Sequence, residues 1–348
     1  MTNFALRCGY KALQFFPLEK YFKNQWAGCG TILTLHQVVH TQSSAAGFEG
    51  SNTVEFLDQV LTYLKKNNYD LLSLNEIEQR LQAGPSAKNH RPFVAFTFDD
   101  GYRNNLELAY PLFKSHQVPF TLYVATDFID RQSTLWTYLL QDLLQKQNEI
   151  AFHLGSVHRM FSLKSTDQKR QAYRAIKKIL VRDKSKTPVE HFENLFGKQV
   201  DEKMRAQHMH DMFLSWDELK QLSQDPLVTI GSHSVRHVPL NRISSSELEH
   251  ELMASKLKIE SHLNKTVQHF AFPFGTCHEV GPREQLAVKQ SEYLTGVTSR
   301  LGHVHWSDQN HLSALPRLPL SASLENIENF KILLTGLPAS LINLFLKS

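Results

Sequence analysis

Phe93-Val94-Ala95-Phe96-Thr97-Phe98-Asp99-Asp100-Gly101-Tyr102 is the stretch on which the fold turns. An apolar strand runs to Phe98, two adjacent carboxylates close it, and a glycine permits a sharp exit. Outward from this run, short β-rich segments recur at 31–35, 120–125, 228–230, 270–272 and 294–298. Helical periodicity fills most of the intervals. Over 54–66 it sets Phe56, Leu57, Val60, Leu61 and Leu64 on one face, and 74–81 continues similarly after a short extended link. Such alternation marks βα units and predicts an α/β fold with a mainly parallel sheet.

The ionisable residues sharpen this expectation. His36, the Asp99–Asp100 pair and His233 each come directly after a predicted strand. In a barrel of parallel strands the loops at the carboxyl ends build the active site, so groups distant in sequence meet there. Adjacent strand residues point apart, but a turn at the strand end brings both carboxylates into one pocket. One would then bind a metal and the other take a proton. Taken alone, the run also reads as a solvated Asp-Gly turn. In Gly231-Ser232-His233-Ser234-Val235-Arg236-His237, two histidines four apart suit two nitrogen ligands of one ion, although a chain with 18 histidines produces that spacing by chance. Joined to an aspartate they form a three-ligand set that leaves positions open for water and substrate, as a hydrolytic metal centre requires.

Composition bounds the remaining choices. A chain of 348 residues with 41% hydrophobic content can bury one large core or two small ones, which excludes general disorder. The net charge of +4 is spread among both signs, so no nucleic-acid surface is implied. Cys8, Cys29 and Cys277 lie far apart and suggest neither disulfides nor a thiolate zinc site. The first residues lack an unbroken apolar core with a small-residue cleavage site, so a cytoplasmic location is expected. Residues 332–346 are strongly apolar but too short to span a bilayer, and Gly336 and Pro338 interrupt them. They read either as core packing or as a peripheral contact with the cytoplasmic face of a membrane. The basic stretch 174–186 reads as a solvated helix face.

Three motifs in order now resemble the polysaccharide deacetylases, the NodB-homology domain. They are Thr97-Phe98-Asp99-Asp100-Gly101-Tyr102, the 231–237 run and Phe270-Ala271-Phe272-Pro273-Phe274-Gly275, and the likeness covers about 33–320. It implies a deformed or incomplete (β/α) barrel. Asp99 would be the catalytic base, with Asp100, His233 and His237 holding a divalent metal. Zn2+ is the first choice, and Co2+ or Ni2+ would also suit a mixed nitrogen and oxygen set. The Phe274 amide would join the metal in stabilising the oxyanion, and Pro273, Tyr102 and Trp216 would contact substrate. The sequence departs from the family at Ala271, where many members carry an arginine that orients the base. Arg317, in Leu315-Pro316-Arg317-Leu318-Pro319-Leu320, is the candidate substitute, with a surface ion pair as its alternative reading. No late motif supplies the usual histidine acid. Thr31-Ile32-Leu33-Thr34-Leu35-His36 resembles the strand used by biofilm poly-N-acetylglucosamine deacetylases, so His36 is the proposed acid, with His303, His305 and His311 as alternatives.

The implied organisation is a helical extension over 1–30, a catalytic domain over 31–320 with a mostly helical insertion over about 130–213, and an apolar helical tail over 321–348. The insertion is where a glycan or lipid-linked sugar would be selected. The implied activity is removal of acetyl groups from N-acetylated sugars of a surface polysaccharide or its precursor. Alternatives are an O-acetyl esterase using the same site and a non-catalytic glycan-binding relic.

Overall fold

The structure is a computed structural model and describes residues 27–42, 50–85, 91–133, 135–183, 185–320 and 325–340. Most of the expected 1–30 extension and the last part of the apolar tail, 341–348, lie outside the described residues. Two compact units divide the chain: Met1–Ile129 with Leu214–Ser348, and Asp130–Phe213.

In chain order the first unit begins with β1 (Gly30–Leu35), β2 (Gln37–Val39), β3 (Ser51–Thr53), α1 (Val54–Lys66), β4 (Asp70–Leu71) and α2 (Leu74–Ala83). It continues with β5 (Phe93–Phe98), a π-helical turn (Asn105–Ala109) leading into α3 (Tyr110–Ser115), β6 (Phe120–Val124) and α4 (Thr126–Ile129). The second unit holds α5 (Trp136–Lys146), β7 (Glu149–Leu154), β8 (Val157–Ser162), α6 (Thr166–Arg182), α7 (Pro188–Phe196) and α8 (Glu202–Met212). The first unit resumes with α9 (Trp216–Leu222), β9 (Val228–Ser232), α10 (Ser245–Leu263), β10 (His269–Ala271) and α11 (Pro282–Gln290). It ends with β11 (Thr295–Leu301), β12 (Leu315–Pro319) and α12 (Ile327–Leu333).

Seven of the first unit's strands close into a parallel barrel in the order β1-β12-β11-β10-β9-β6-β5, with β5 pairing back onto β1 and β4 added outside β5. The barrel is thus complete, though uneven. The β1–β5 seam is paired from Gly30↔Phe93 to Leu35↔Phe98, whereas β9 and β10 share the single register pair Ser232↔Phe270. All six residues of β5 are buried, as parallel strands covered on both faces require. Ile32, Ala95, Tyr123, Ala271, Val297 and Leu315, from six different strands, meet in one buried cluster that α2 joins through Leu74, Ile77 and Leu81. Outside, the Phe113 ring of α3 meets Phe96, Phe98 and Phe120 edge-on at 5.0, 5.5 and 5.3 Å. These T-shaped contacts fix α3 against β5 and β6.

Helix starts follow local chemistry. Ser73, Ser215 and Ser244 each cap the backbone three residues on, and Glu76, Glu218 and Glu247 return the bond. Helix α1 buries the five residues expected of it. Of the seven barrel strands one escapes the sequence reading: Pro316 and Pro319 hide β12, because proline weakens the strand signal. Among the described residues the second unit holds four α-helices and also an antiparallel hairpin, β7–β8, running from Glu149↔Ser162 to Leu154↔Val157. Ile150 and Phe152 alternate inward there beneath exposed neighbours, the period-2 pattern of a half-buried strand.

Phe330, Ile332, Leu333, Leu334, Leu337 and Ala339 are buried, so the described part of the apolar tail packs into the protein. No helix among the described residues is long and apolar enough to cross a membrane.

Two buried histidines away from the strand-end carboxylates should make the fold acid-sensitive. His269 bonds Thr295 and Asn75, His303 bonds Thr31 and the Leu333 carbonyl, and burial lowers each from 6.5 to about 4. Between those values the unfolded chain binds more protons than the folded one, so stability falls as pH drops from about 6.5 to about 4. Above 6.5 the full stability is present, and below 4 the loss levels off. Each histidine contributes up to about 3 kcal/mol to that loss. Urea unfolding of the metal-free protein across this range should show the decline, and His269→Gln should reduce its slope. An unchanged slope would assign the acid sensitivity elsewhere.

Candidate active site

The carboxyl ends of β1, β5, β9 and β10 deliver the site. Because β1 and β5 are in register to Leu35↔Phe98, His36 and Asp99 emerge side by side, and the Asp99 amide donates to the Leu35 carbonyl at 3.0 Å. Asp100 and Gly101 then take φ of 76° each. This left-handed turn strains Asp100, and a Cβ at Gly101 would come within 3.0 Å of Val124. Ser234, His237 and Phe274 also have positive φ, at 69°, 54° and 62°. Among the described residues, four of the nine non-glycine residues with positive φ therefore lie on the loops that carry the site's side chains.

Asp99 is 3% exposed and faces Arg317, which is fully buried. Arg317 Nη1 and Nη2 donate to the two carboxylate oxygens at 2.8 and 2.7 Å. The guanidinium is fixed further by Nε donating to the Thr298 carbonyl at 3.0 Å and Nη1 to Thr97 Oγ1 at 3.0 Å. Burial by itself would raise the Asp99 carboxyl, but Arg317, with His233 and His36, holds it well below the usual carboxylate range. The fork on β12 therefore orients Asp99 in a chain that carries alanine at 271, and Thr97, quoted in the motif without a role, supports it. Nothing in the one-dimensional pattern of Thr97 distinguished it from other strand threonines.

Asp100, His233 and His237 offer one ligand atom each, all within 4.8 Å of one another. His233 Nδ1 donates to the Ala271 carbonyl at 2.7 Å, so in the neutral ring Nε2 carries a lone pair. Burial lowers His233 to about 4 and keeps it neutral. Asp100 Oδ1 lies 3.6 Å from His233 Nε2 and 3.3 Å from His237 Nε2, is buried, and has no hydrogen-bond partner. Burial also pushes the Asp100 carboxyl up, although His36 and His233 oppose this. An unpartnered carboxylate oxygen facing an imidazole lone pair is unfavourable without a positive charge between them. The donor set therefore fits a divalent cation. The rings of His233 and His237 meet at 4.8 Å, and Phe128 and Phe274 flank His237 at 5.5 and 5.3 Å.

Other expected site residues take varied places. His36 is half-buried, close enough to both carboxylates to favour their ionised forms, and its carbonyl accepts from Asn105 Nδ2 at 2.8 Å. Pro273 is buried and its carbonyl accepts from the Gly275 amide at 2.7 Å. The Phe274 amide between them makes no hydrogen bond among the described residues. Tyr102, expected to touch substrate, is instead 1% exposed and hydrogen-bonds Asp100, because the turn tucks its ring under the carboxylate. One face of the Trp216 ring is covered by His262 of α10, stacked at 4.0 Å and 6°, which leaves a sugar at most the other face. His303 sits by Thr31 at the amino end of β1, opposite His36, with His305 and His311 following it around a short 3-10 turn. The late histidines are therefore removed from the carboxylates.

A buried, arginine-paired carboxylate beside a mixed histidine–carboxylate set at the carboxyl end of a parallel barrel has the makings of a hydrolase site. Comparison with known proteins narrows the class. The sequence model described as polysaccharide deacetylase matches residues 86–192 and 194–283, and the chain belongs to that family. It is accordingly a carbohydrate N-deacetylase, a hydrolase of a non-peptide carbon–nitrogen bond. No curated protein sequence matches significantly. Among solved structures the fold is similar to the deacetylase PplD of Streptococcus pyogenes in complex with acetate, at 19% identity, TM-score 0.56, covering 88% of this chain and 96% of that one. It is also similar to the de-N-acetylase from Aggregatibacter actinomycetemcomitans, at 15% identity and TM-score 0.53, covering 87% and 99%. IcaB from Ammonifex degensii follows at 14% identity and TM-score 0.52, covering 88% and 96%.

Proposed function

We propose that the protein removes acetyl groups from N-acetylhexosamine units of a surface polysaccharide or its precursor, using a divalent metal held by Asp100, His233 and His237. The single observation that carries this reading is a buried, Arg317-paired carboxylate beside a three-donor set of which Asp100 and His233 are buried and His237 is partly buried. A bound divalent ion, Zn2+ in the first instance, supplies Lewis acidity, lowering the pKa of water and polarising the amide carbonyl. Arg317 keeps Asp99 ionised, and each Asp99 oxygen retains a second lone pair on which to accept the proton of the attacking water. The Phe274 amide, which has no partner among the described residues, is available to the developing oxyanion. His36 gives a proton to the departing nitrogen. The amide C–N bond breaks, water's oxygen joins the carbonyl carbon, and acetate and the hexosamine amine leave.

The test is acetate release from N-acetylglucosamine oligomers with and without a chelator, then with Zn2+ or Co2+ restored. Release that stops on chelation and returns with metal supports the reading. Release that chelation leaves untouched would refute the metal role. His36→Ala should slow amide cleavage about 10²–10⁴-fold. It should slow an activated acetyl ester much less, because that leaving group needs no proton. Equal slowing of both would remove His36 from the acid role.

A further inference from the structure

A loop with two left-handed residues carries both candidate metal histidines, and its backbone is held from outside the site. Among 233–237, the His233 amide donates to the Val124 carbonyl at 2.9 Å, the Ser234 amide to Ser232 Oγ at 3.3 Å and the His237 amide to Ser234 Oγ at 3.1 Å. The remaining two amides, Val235 and Arg236, both donate to one oxygen of Glu251, at 2.8 and 2.9 Å. Glu251 is a fully buried carboxylate on α10, and its other oxygen accepts Arg236 Nε at 2.5 Å. One turn further along α10, Ser255 Oγ meets Ser232 Oγ at 2.7 Å. On the other side of the loop, the Thr126 and Asp127 amides of α4 donate to the Ser234 and Val235 carbonyls at 3.2 and 3.0 Å.

We propose that Glu251 is a positioning residue for the metal site: its carboxylate fixes the backbone between His233 and His237 and so sets the spacing of the two imidazoles. The inference rests on the metal reading given above. A buried anion without a cation of full burial beside it is costly, and Arg236 is only partly buried. What Glu251 gains is two charge-assisted bonds to consecutive amides of a strained loop. Those amides have no alternative acceptor on the loop itself. The loop therefore holds its shape before metal arrives, and binding need not include the cost of ordering it.

Glu251→Gln keeps size and one acceptor but loses the charge and the bond from Arg236. Partners that orient ligands from outside the coordination shell change metal affinity by about 10–100-fold when replaced. The measurement is Co2+ affinity by competition with a chelator, read from the visible cobalt absorption, alongside urea unfolding of the metal-free protein. Lys256→Met is the control: on the same helix it loses bonds to the Ser291 and Glu292 carbonyls at 3.1 and 3.0 Å, neither of which belongs to the loop. The expected result is Co2+ binding weakened about 10–100-fold and an altered absorption in Glu251→Gln, with Lys256→Met destabilised but unchanged in affinity. Glu251→Asp keeps the charge but withdraws it by one methylene, and should fall between. Equal affinity in Glu251→Gln and the parent protein, or equal losses in Glu251→Gln and Lys256→Met, would overturn the proposal alone. A parent protein that binds no Co2+ would overturn the metal reading as well.

Discussion

Asp99→Asn is expected to lower kcat/KM for acetate release by about 10²–10⁴-fold while bound metal stays in place. The amide cannot take the proton of an attacking water. Nor can it satisfy Arg317, whose two nitrogens now donate to two carboxylate oxygens at 2.8 and 2.7 Å. One of those partners becomes an NH₂ donor facing another donor. The variant should therefore also lose stability, on the order of 3–5 kcal/mol, because a buried guanidinium is left without its counter-charge. Asp100, His233 and His237 are untouched, so metal content measured after dialysis should match the parent. Asp100→Ala provides the contrast: it should lose the metal itself. Turnover at the parental rate in Asp99→Asn would end the claim that Asp99 is the base.

Arg317→Met should be as damaging by the complementary route. With the guanidinium gone, burial is left to act on Asp99 and raises its carboxyl from a strongly lowered value. A base must be ionised, so the acid limb of the rate profile moves to higher pH and activity near neutrality falls. Raising the pH should restore part of it, which a simple structural defect would not permit. Stability should fall by about 3–5 kcal/mol as the carboxylate loses its partner. The double variant Asp99→Asn, Arg317→Met should be less destabilised than the two single losses added together, because neither change then strands a charge. Strict additivity would mean the pair is not coupled.

Much of this arrangement was legible in one dimension, and for physical reasons. Strand ends that close on Asp, Asp or His were visible because parallel strands are short, apolar and abruptly terminated. Six predicted strands appear within a few residues of 31–35, 93–98, 120–125, 228–230, 270–272 and 294–298. Convergence of His36, Asp99, Asp100 and His233 follows from strands pointing the same way. What stayed hidden depends on long-range packing. Prolines concealed β12, so Arg317 could be named as a candidate but not placed in the barrel wall. Glu251 carries no mark in the sequence, since nothing local distinguishes a carboxylate that will be buried against a loop. Tyr102 lay inside the motif, yet only the turn at Asp100 and Gly101 decides that its ring goes under the site rather than toward a glycan.

The pairing of Asp99 with Arg317 spans 218 residues. At roughly 5–20 residues per second, the ribosome needs about 10–40 s after making Asp99 before it makes Arg317. Throughout that interval β1 has no strand on the side away from β5, and β11, once made, has none beyond β10, so each presents an open edge. A nascent chain halted before Leu315 would contain all three residues of the metal set and still leave Asp99 without its cation. Such products should be inactive and prone to aggregate. Synthesis of the last strand, rather than of the motif residues, is then the event that commits each new molecule to being an enzyme.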